Sequence, residues 1–229
     1  MKKTKVICLA HQKGGVGKTL MCNLVAGEVS KQGYGVAIID ADRQASIHAK
    51  RTQQIQSGEK STFDVFNLSK YKEVEALIEQ SSGKYDYIFI DTPGVITPDI
   101  QKILKRADAI IIPLTAGDSD WSSFQTFVHV LNQVLDNSIL LIAVYNKVKH
   151  QTNRWKEYMS EVTPFLEENM IILPEMKTTI AGKRQPAQLG EREDYTPLDT
   201  ITPLTDRKVN RACKIELKYL VHALLAEIE

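Results

Sequence analysis

The sequence is poor in cysteine, with only Cys8, Cys22 and Cys213, and no two of them form a C-x-x-C pair. That excludes a disulfide framework and a cysteine-based metal site, and it fits a reducing cytosol. The chain also lacks any apolar run near the roughly 18 residues that a membrane-spanning helix requires. No charge sign dominates: 29 Lys and Arg face 28 Asp and Glu, for a formal net charge of +1. A uniformly basic nucleic-acid coat is thereby excluded, while a local basic patch remains open. Internal repeats and low-complexity stretches are absent. The opening Met1–Ala10 has basic then apolar residues, but the apolar run is too short for a secretion signal, and His11-Gln12-Lys13 ends it. A first β-strand is the better reading.

What is present is ordinary globular composition, 43% hydrophobic and 25% charged over 229 residues. Residues 1–229 are expected to form one domain. Four apolar runs have strand length: Val6–Ala10, Val36–Ile39, Tyr87–Ile90 and Ala109–Leu114. Ile139–Tyr145 is a longer fifth, and Ile171–Leu173 is a candidate late strand. The runs are nearly continuous rather than alternating, so both faces are buried, as in a parallel sheet between helical layers. Helices are predicted at Lys18–Gln32, Lys72–Gln80, Asp99–Arg106 and Ser119–Leu135, with a final one at about 206–228. Alternating strands and helices define an α/β, doubly wound, mostly parallel twisted sheet with helices on both faces. Residues 177–206 carry Gly182, Pro186, Gly190, Pro197 and Pro203 with little periodicity, and predict a long surface loop or short helical pieces.

The first strand runs into His11-Gln12-Lys13-Gly14-Gly15-Val16-Gly17-Lys18-Thr19-Leu20. The usual phosphate-loop pattern is G-x-x-x-x-G-K-[ST], and Gln12 stands at its first glycine position, so the strict pattern fails. The chemistry survives. Gly14, Gly15 and Gly17 let backbone N–H groups approach phosphate oxygens. Val16, Lys18, Thr19 and Leu20 complete the cradle where the loop opens into a helix, whose N-terminus favours anions. Lys18 suits the β- and γ-phosphates, and the Thr19 hydroxyl suits magnesium.

Two strands end in acids. Ile38-Ile39-Asp40-Ala41-Asp42-Arg43 brings an acidic pair to the carboxyl end of a buried strand, where open α/β sheets bind ligands. Tyr87-Ile88-Phe89-Ile90-Asp91 has the form of a Walker B strand, whose acid holds magnesium-bound water. Thr92-Pro93-Gly94 then suits a loop that senses the last phosphate.

The Lys-Gly-Gly-x-Gly-Lys-Thr stretch resembles the deviant Walker A motif of the ParA/MinD family of dimeric ATPases. The resemblance covers nearly the whole chain and is strongest over residues 5–46 and 85–125. It implies ATP and Mg2+ as cofactors, with Lys13 as the signature lysine that reaches a partner's bound phosphates. It also implies that Asp42 polarises the attacking water and joins the magnesium shell, with Asp40 in support. Arg43 replaces the family's usual proline. Asn146, at the end of the fifth strand, matches an asparagine that contacts adenine. Asp118–Phe124 matches a segment bordering the dimer face, and the sequence leaves Trp121 open between core and interface.

The final helix carries Arg207, Arg211, Lys214 and Lys218 along one face, with Cys213, Leu217, Leu220, Leu224 and Ile228 as a separate apolar stripe. The basic row is a candidate for sequence-independent DNA contact, alongside Arg184, which lies where family members carry another DNA-binding arginine. The helix tip, Ala226-Glu227-Ile228-Glu229, is acidic, which disfavours a lipid anchor. The short N-terminus and Ser61–Phe66 look like the smaller ParA-type plasmid partition proteins. The implied activity is slow ATP hydrolysis in DNA partition in the cytoplasm, on the nucleoid. An ATP-bound homodimer holds nonspecific DNA, and a cargo-bound centromere-binding activator of ParB/ParG type releases it. The alternatives are a conjugation-associated or cargo-positioning ATPase of the same family and a dethiobiotin-synthetase-like metabolic enzyme. An iron-protein-like electron donor is disfavoured, because it needs clustered cysteines.

Overall fold

The computed structural model describes residues 3–58, 62–115, 118–148, 153–177, 184–186, 188–190 and 207–229. Its strands are β1 (Lys5–Leu9), β2 (Val36–Asp40), β3 (Asp64–Asn67), β4 (Tyr87–Asp91), β5 (Ala109–Thr115), β6 (Leu140–Val148), β7 (Ile171–Ile172), β8 (Glu175–Lys177), β9 (Arg184–Pro186) and β10 (Gln188–Gly190). Its helices are α1 (Lys18–Lys31), α2 (Ser46–Gln56), α3 (Tyr71–Gln80), α4 (Pro98–Leu104), α5 (Asp118–Val134), α6 (Asn153–Glu168) and α7 (Arg207–Ile228).

The main sheet runs β10-β6-β5-β1-β4-β2-β3, with β7 also paired to β6. Every pairing in it is parallel. β1 therefore lies between β4 and β5, where the strand order reverses: the chain passes from β1 beyond β4 to β2 and later crosses back from β4 to β5. That is the point where α/β sheets open a crevice at their carboxyl ends.

Successive side chains explain why the strand runs are continuously apolar. Ile7 and Leu9 of β1 join one core with Ile38, Tyr87, Phe89 and Ile111, under α1 and α7. Val6, Cys8 and Ala10 join the other with Ile39, Ile88, Ile90 and Ile110, under α3, α4, α5 and α6. Alternation sends neighbours to opposite faces, and helices cover both. The α7 apolar stripe docks as expected: Leu217, Leu220, Leu224 and Ile228 are buried in the first core. Full burial of such side chains stabilises by about 1.5–3 kcal/mol each. Cys213 lies outside the residues whose side chains are described. Cys8 and Cys22 are free and buried, and burial pushes both thiols up.

The loop expected across residues 177–206 is replaced in part by strand. β9 pairs with β8 antiparallel, and β10 adds a parallel strand to β6. Short segments like these take their conformation from a partner's unpaired edge rather than from their own periodicity. Residues 178–183, 187 and 191–206 lie outside the described residues. Four further elements had no counterpart in the sequence reading: β3, β8, α2 and α6.

Candidate functional site

β1 is fully paired, and the chain must turn sharply after Leu9 to enter α1. Two left-handed residues make that turn, Gly15 at φ 76° and Gly17 at φ 94°. Gly17 is also the N-cap of α1, with no side chain capping the helix and no acid in its first turn. The first intrahelical bond runs from Met21 N to Gly17 O, at 2.9 Å. Helix geometry therefore leaves the amides of Lys18, Thr19 and Leu20 without helical acceptors. Such an end attracts an anion. Gly17 is needed for space as well, since a Cβ there would overlap the Asn146 amide.

Lys18 is buried at the base of this turn, with its Nζ 3.4 Å from the Lys13 carbonyl. Burial lowers its pKa, while the carboxylates of Asp91 and Asp42 oppose that fall. Lys18 is thus a desolvated cation held between acids, suited to a multiply charged anion.

The acids sit side by side. β4 pairs with both β1 and β2, so that Leu9, Asp91 and Asp40 line up at the sheet's carboxyl edge. Asp40 is fully buried, and its Oδ2 accepts from Ile47 N at 2.9 Å and His48 N at 3.1 Å. It caps α2, whose N-cap residue Ala45 is left-handed and supplies no side-chain cap. Asp40 thereby anchors the loop that carries Asp42. Asp42 is half-buried and its Oδ1 accepts from Gln44 N at 3.0 Å.

Asp91 is also fully buried, yet neither of its oxygens has a well-formed hydrogen bond. Burial pushes its pKa up to about 7; the nearby Thr19 side chain and the Lys18 charge pull it back, and Asp40 and Asp42 add to the rise. A buried carboxylate without partners is destabilising on its own. With the Thr19 hydroxyl it is a hard-oxygen donor set, which fits a magnesium ion. Among the described residues no group of three or more His, Cys, Asp or Glu forms a metal site.

Lys13 points elsewhere. Its Nζ donates to Ser119 Oγ at 3.0 Å and forms a short ion pair with Asp120, both in the first turn of α5. Burial raises the Asp120 pKa, but hydrogen bonds from Lys13 and Thr115 and the Lys13 charge hold it below the usual carboxylate range. The Lys13 backbone is fixed by His11, whose Nδ1 accepts from Lys13 N at 2.9 Å. The His11 ring stacks on Phe127, with centroids 5.4 Å apart. Burial, then the Lys18 and Lys13 charges, lower its pKa to about 4 against the pull of Asp120, so the ring stays neutral and can accept that bond.

Asn146 and Lys147 close the site from β6. Asn146 Nδ2 donates to Val16 O at 2.8 Å, and Lys147 Nζ donates to Gly15 O at 2.9 Å. The structure thus brings together Lys13, Gly14–Thr19, Asp40, Asp42, Asp91 and Asn146. His11, Asp120 and Lys147 were missed; all three lie within or beside quoted motifs, and only contacts distant in sequence reveal their part. Trp121 belongs to an aromatic cluster, stacked on Phe124 and edge-on to Tyr158 and Phe165. Lys214 and Lys218 are exposed on α7, far along the chain from this crevice. The side chains of Arg184, Arg207 and Arg211 lie outside those described.

A glycine turn from a buried strand into an uncapped helix, flanked by acidic ends of parallel strands, defines a P-loop nucleotide-binding α/β protein. The family model of the CobQ/CobB/MinD/ParA nucleotide binding domain matches residues 7–187. The chain belongs to that family of P-loop ATPases, as its deviant loop led us to expect. A ParA family protein of Mycoplasma pneumoniae is 20% identical over 251 residues, covering 89% of this chain and 92% of its own. The solved structure of a putative plasmid partition protein from Borrelia burgdorferi B31 bound to AMPPNP is 22% identical with TM-score 0.66, over 99% of this chain and 100% of that one. pNOB8 ParA bound to nonspecific DNA is 18% identical with TM-score 0.65, over 98% of each chain. These two structures share the fold.

Proposed function

We propose that this chain is an ATP-dependent dimerising switch that acts in plasmid or chromosome partition. With Mg-ATP two copies clasp, the dimer holds nonspecific DNA, and a cargo-bound, centromere-binding activator stimulates hydrolysis and release. The observation that carries this reading is the divergence of two lysines on one loop. Lys18 turns inward to the cradle between Asp91 and Asp42, while Lys13 turns outward to the head of α5. A cation beside the phosphate loop that leaves its own cradle alone can serve a neighbouring copy's phosphates once it lets go of Ser119 and Asp120.

In this mechanism the amides of residues 14–20 and the Lys18 ammonium hold the β- and γ-phosphates. Thr19, Asp91 and Asp42 would hold magnesium, and the ion would neutralise charge developing on the phosphates. Asp42, on a short loop anchored by Asp40, orients the attacking water. Positioning and electrostatics supply most of the barrier reduction in such reactions. Asn146 is poised beside the loop for adenine.

The DNA surface includes the exposed Lys214 and Lys218 on α7, with Arg207, Arg211 and Arg184 as further candidates from the sequence. Lys214 and Lys218 border an open cavity of about 560 Å3 with Lys31, Gln32 and the acidic Glu28 of the α1 region. Clustered cations of this kind favour phosphodiester backbones without reading bases. The protein then works on nucleoid DNA in the cytoplasm rather than on lipid. Among the described residues no helix is long and apolar enough to cross a membrane.

The test is sedimentation and DNA binding with no nucleotide, ADP, ATP and ATP plus Lys13→Ala, across a salt series. Dimerisation and salt-sensitive DNA binding with ATP alone, both lost in Lys13→Ala, are expected. An ATP-indifferent assembly that tolerates Lys13→Ala would instead support a metabolic ATP-dependent enzyme.

A further inference from the structure

Near its carboxyl end β6 presents two adjacent side chains that hold two adjacent carbonyls of the phosphate loop. Asn146 Nδ2 holds Val16 O and Lys147 Nζ holds Gly15 O, at 2.8 and 2.9 Å. The pair is itself braced, because Lys147 N donates to Asn146 Oδ1 at 3.0 Å. Lys147 adopts a left-handed backbone at φ 58°, a conformation that is strained for a residue with a side chain. That conformation falls just after the last β6–β5 pair, Asn146 with Thr115, and is maintained by the contacts around it.

The consequence follows from the peptide unit. In a planar trans peptide the C=O and the next residue's N–H point in opposite directions. Pinning Gly15 O toward β6 turns the Val16 N–H away from β6. Pinning Val16 O does the same for the Gly17 N–H. Free glycine-rich backbone would sample many orientations of these groups, and ordering them on ligand binding would carry an entropic penalty. The two contacts set the orientation in advance.

We propose that Lys147 is a positioning residue of the phosphate loop: its ammonium fixes the Gly15 carbonyl so that the loop's N–H groups are already turned toward the anion before nucleotide binds. This rests on the ATP-binding reading above. Asn146 shares the task and is buried, whereas Lys147 is exposed and makes the cleaner probe. Lys147 also lines, with Lys13, Gly14, Gly15, Val16, Thr115 and Asp120, a cavity of about 320 Å3. A direct phosphate ligand would read the last phosphate, but a carbonyl clamp acts on the loop and is blind to it.

The experiment is calorimetric titration of Mg-ADP and Mg-ATP into the wild type, Lys147→Met and Lys147→Arg, with melting temperatures of each protein without nucleotide. Lys147→Met should weaken both nucleotides equally, by about threefold to tenfold, the scale of one exposed charge-assisted hydrogen bond. Its melting temperature should stay unchanged, and Lys147→Arg should restore binding. Unchanged affinity in Lys147→Met overturns the proposal. So does a loss confined to ATP, which would make Lys147 a direct ligand, or a loss matched by a lower melting temperature, which would make it purely structural. Wild-type protein that takes up neither nucleotide would overturn the ATP-binding reading itself and this proposal with it.

Discussion

Asp40 and Asp91 face each other in register on neighbouring parallel strands, both fully buried, and of the two only Asp40 accepts well-formed backbone hydrogen bonds. Two carboxylates with the same burial thus do different things. One oxygen of Asp40 is satisfied by the protein's own backbone, while its Oδ1 has no partner. Asp91 waits for a cation.

That difference gives a pH signature. The Asp91 pKa is raised to about 7 in the folded protein by burial first, and it is ordinary when unfolded. The folded state therefore binds a proton more tightly than the unfolded state. Without nucleotide and magnesium, stability should fall as pH rises from about 4 through about 7, then level off. Asp91→Asn removes the charge, so its advantage over wild type should grow across that window to about 2–4 kcal/mol. Urea unfolding of both proteins at pH 5 and pH 8 measures it. Parallel pH dependences for the two would refute the assignment of Asp91 as an uncompensated buried acid.

Asp40 should behave as a helix cap. Asp40→Ala strands the buried amides of Ile47 and His48. The expected loss is about 1–3 kcal/mol, and hydrogen exchange should quicken over residues 46–56. Asp40→Asn keeps an acceptor and should lose less. Exchange that stays slow in Asp40→Ala would show that α2 is held by other contacts.

How much of this was readable in advance differs by element. β1, β2, β4 and β5 were legible because burial on both faces leaves continuous apolar runs, and Asp91 because it ends one of them. α2 was not: it buries only Ile47, Arg51 and Gln54, so it carries almost no apolar period, and its start is fixed by Asp40 from across a turn. α6 contains Pro164, which argues against a helix on local grounds. β10 is three residues long and exists only against β6. Lys147 was hidden for a related reason, since its partner Gly15 lies 132 positions away. Local chemistry announces a phosphate loop, whereas the groups that steady it are chosen by topology.

Two glycines of that loop should respond differently to a methyl group. Gly17 is left-handed at φ 94° and its Cβ position is filled by Asn146, while Gly14 has nothing within 4 Å of its Cβ position. Gly17→Ala should destabilise the protein by at least about 1–2 kcal/mol, from backbone strain alone, and should displace Asn146. Gly14→Ala should melt near the wild-type temperature. Equal melting temperatures for the two variants would contradict the close packing of Asn146 on Gly17.

The Lys13–Asp120 ion pair sets a condition on dimerisation. A lysine that serves a partner's phosphates must first leave the head of α5, where Ser119 and Asp120 hold it. A quarter-exposed carboxylate is screened by water, so the pair is worth about 1 kcal/mol or less. Asp120 has a depressed folded pKa, so this stabilisation is present above the ordinary carboxylate pKa and is lost as pH falls through the folded value. At neutral pH the pair is intact. Asp120→Asn weakens it with little change in shape, so ATP-dependent dimers should form at about twofold to fivefold lower protein concentration. Lys13→Ala combined with Asp120→Asn should abolish them. Sedimentation equilibrium with Mg-ATP reads both outcomes, and dimers of the single variant that dissociate more readily than wild type would mean that Asp120 supports the interface instead of restraining Lys13.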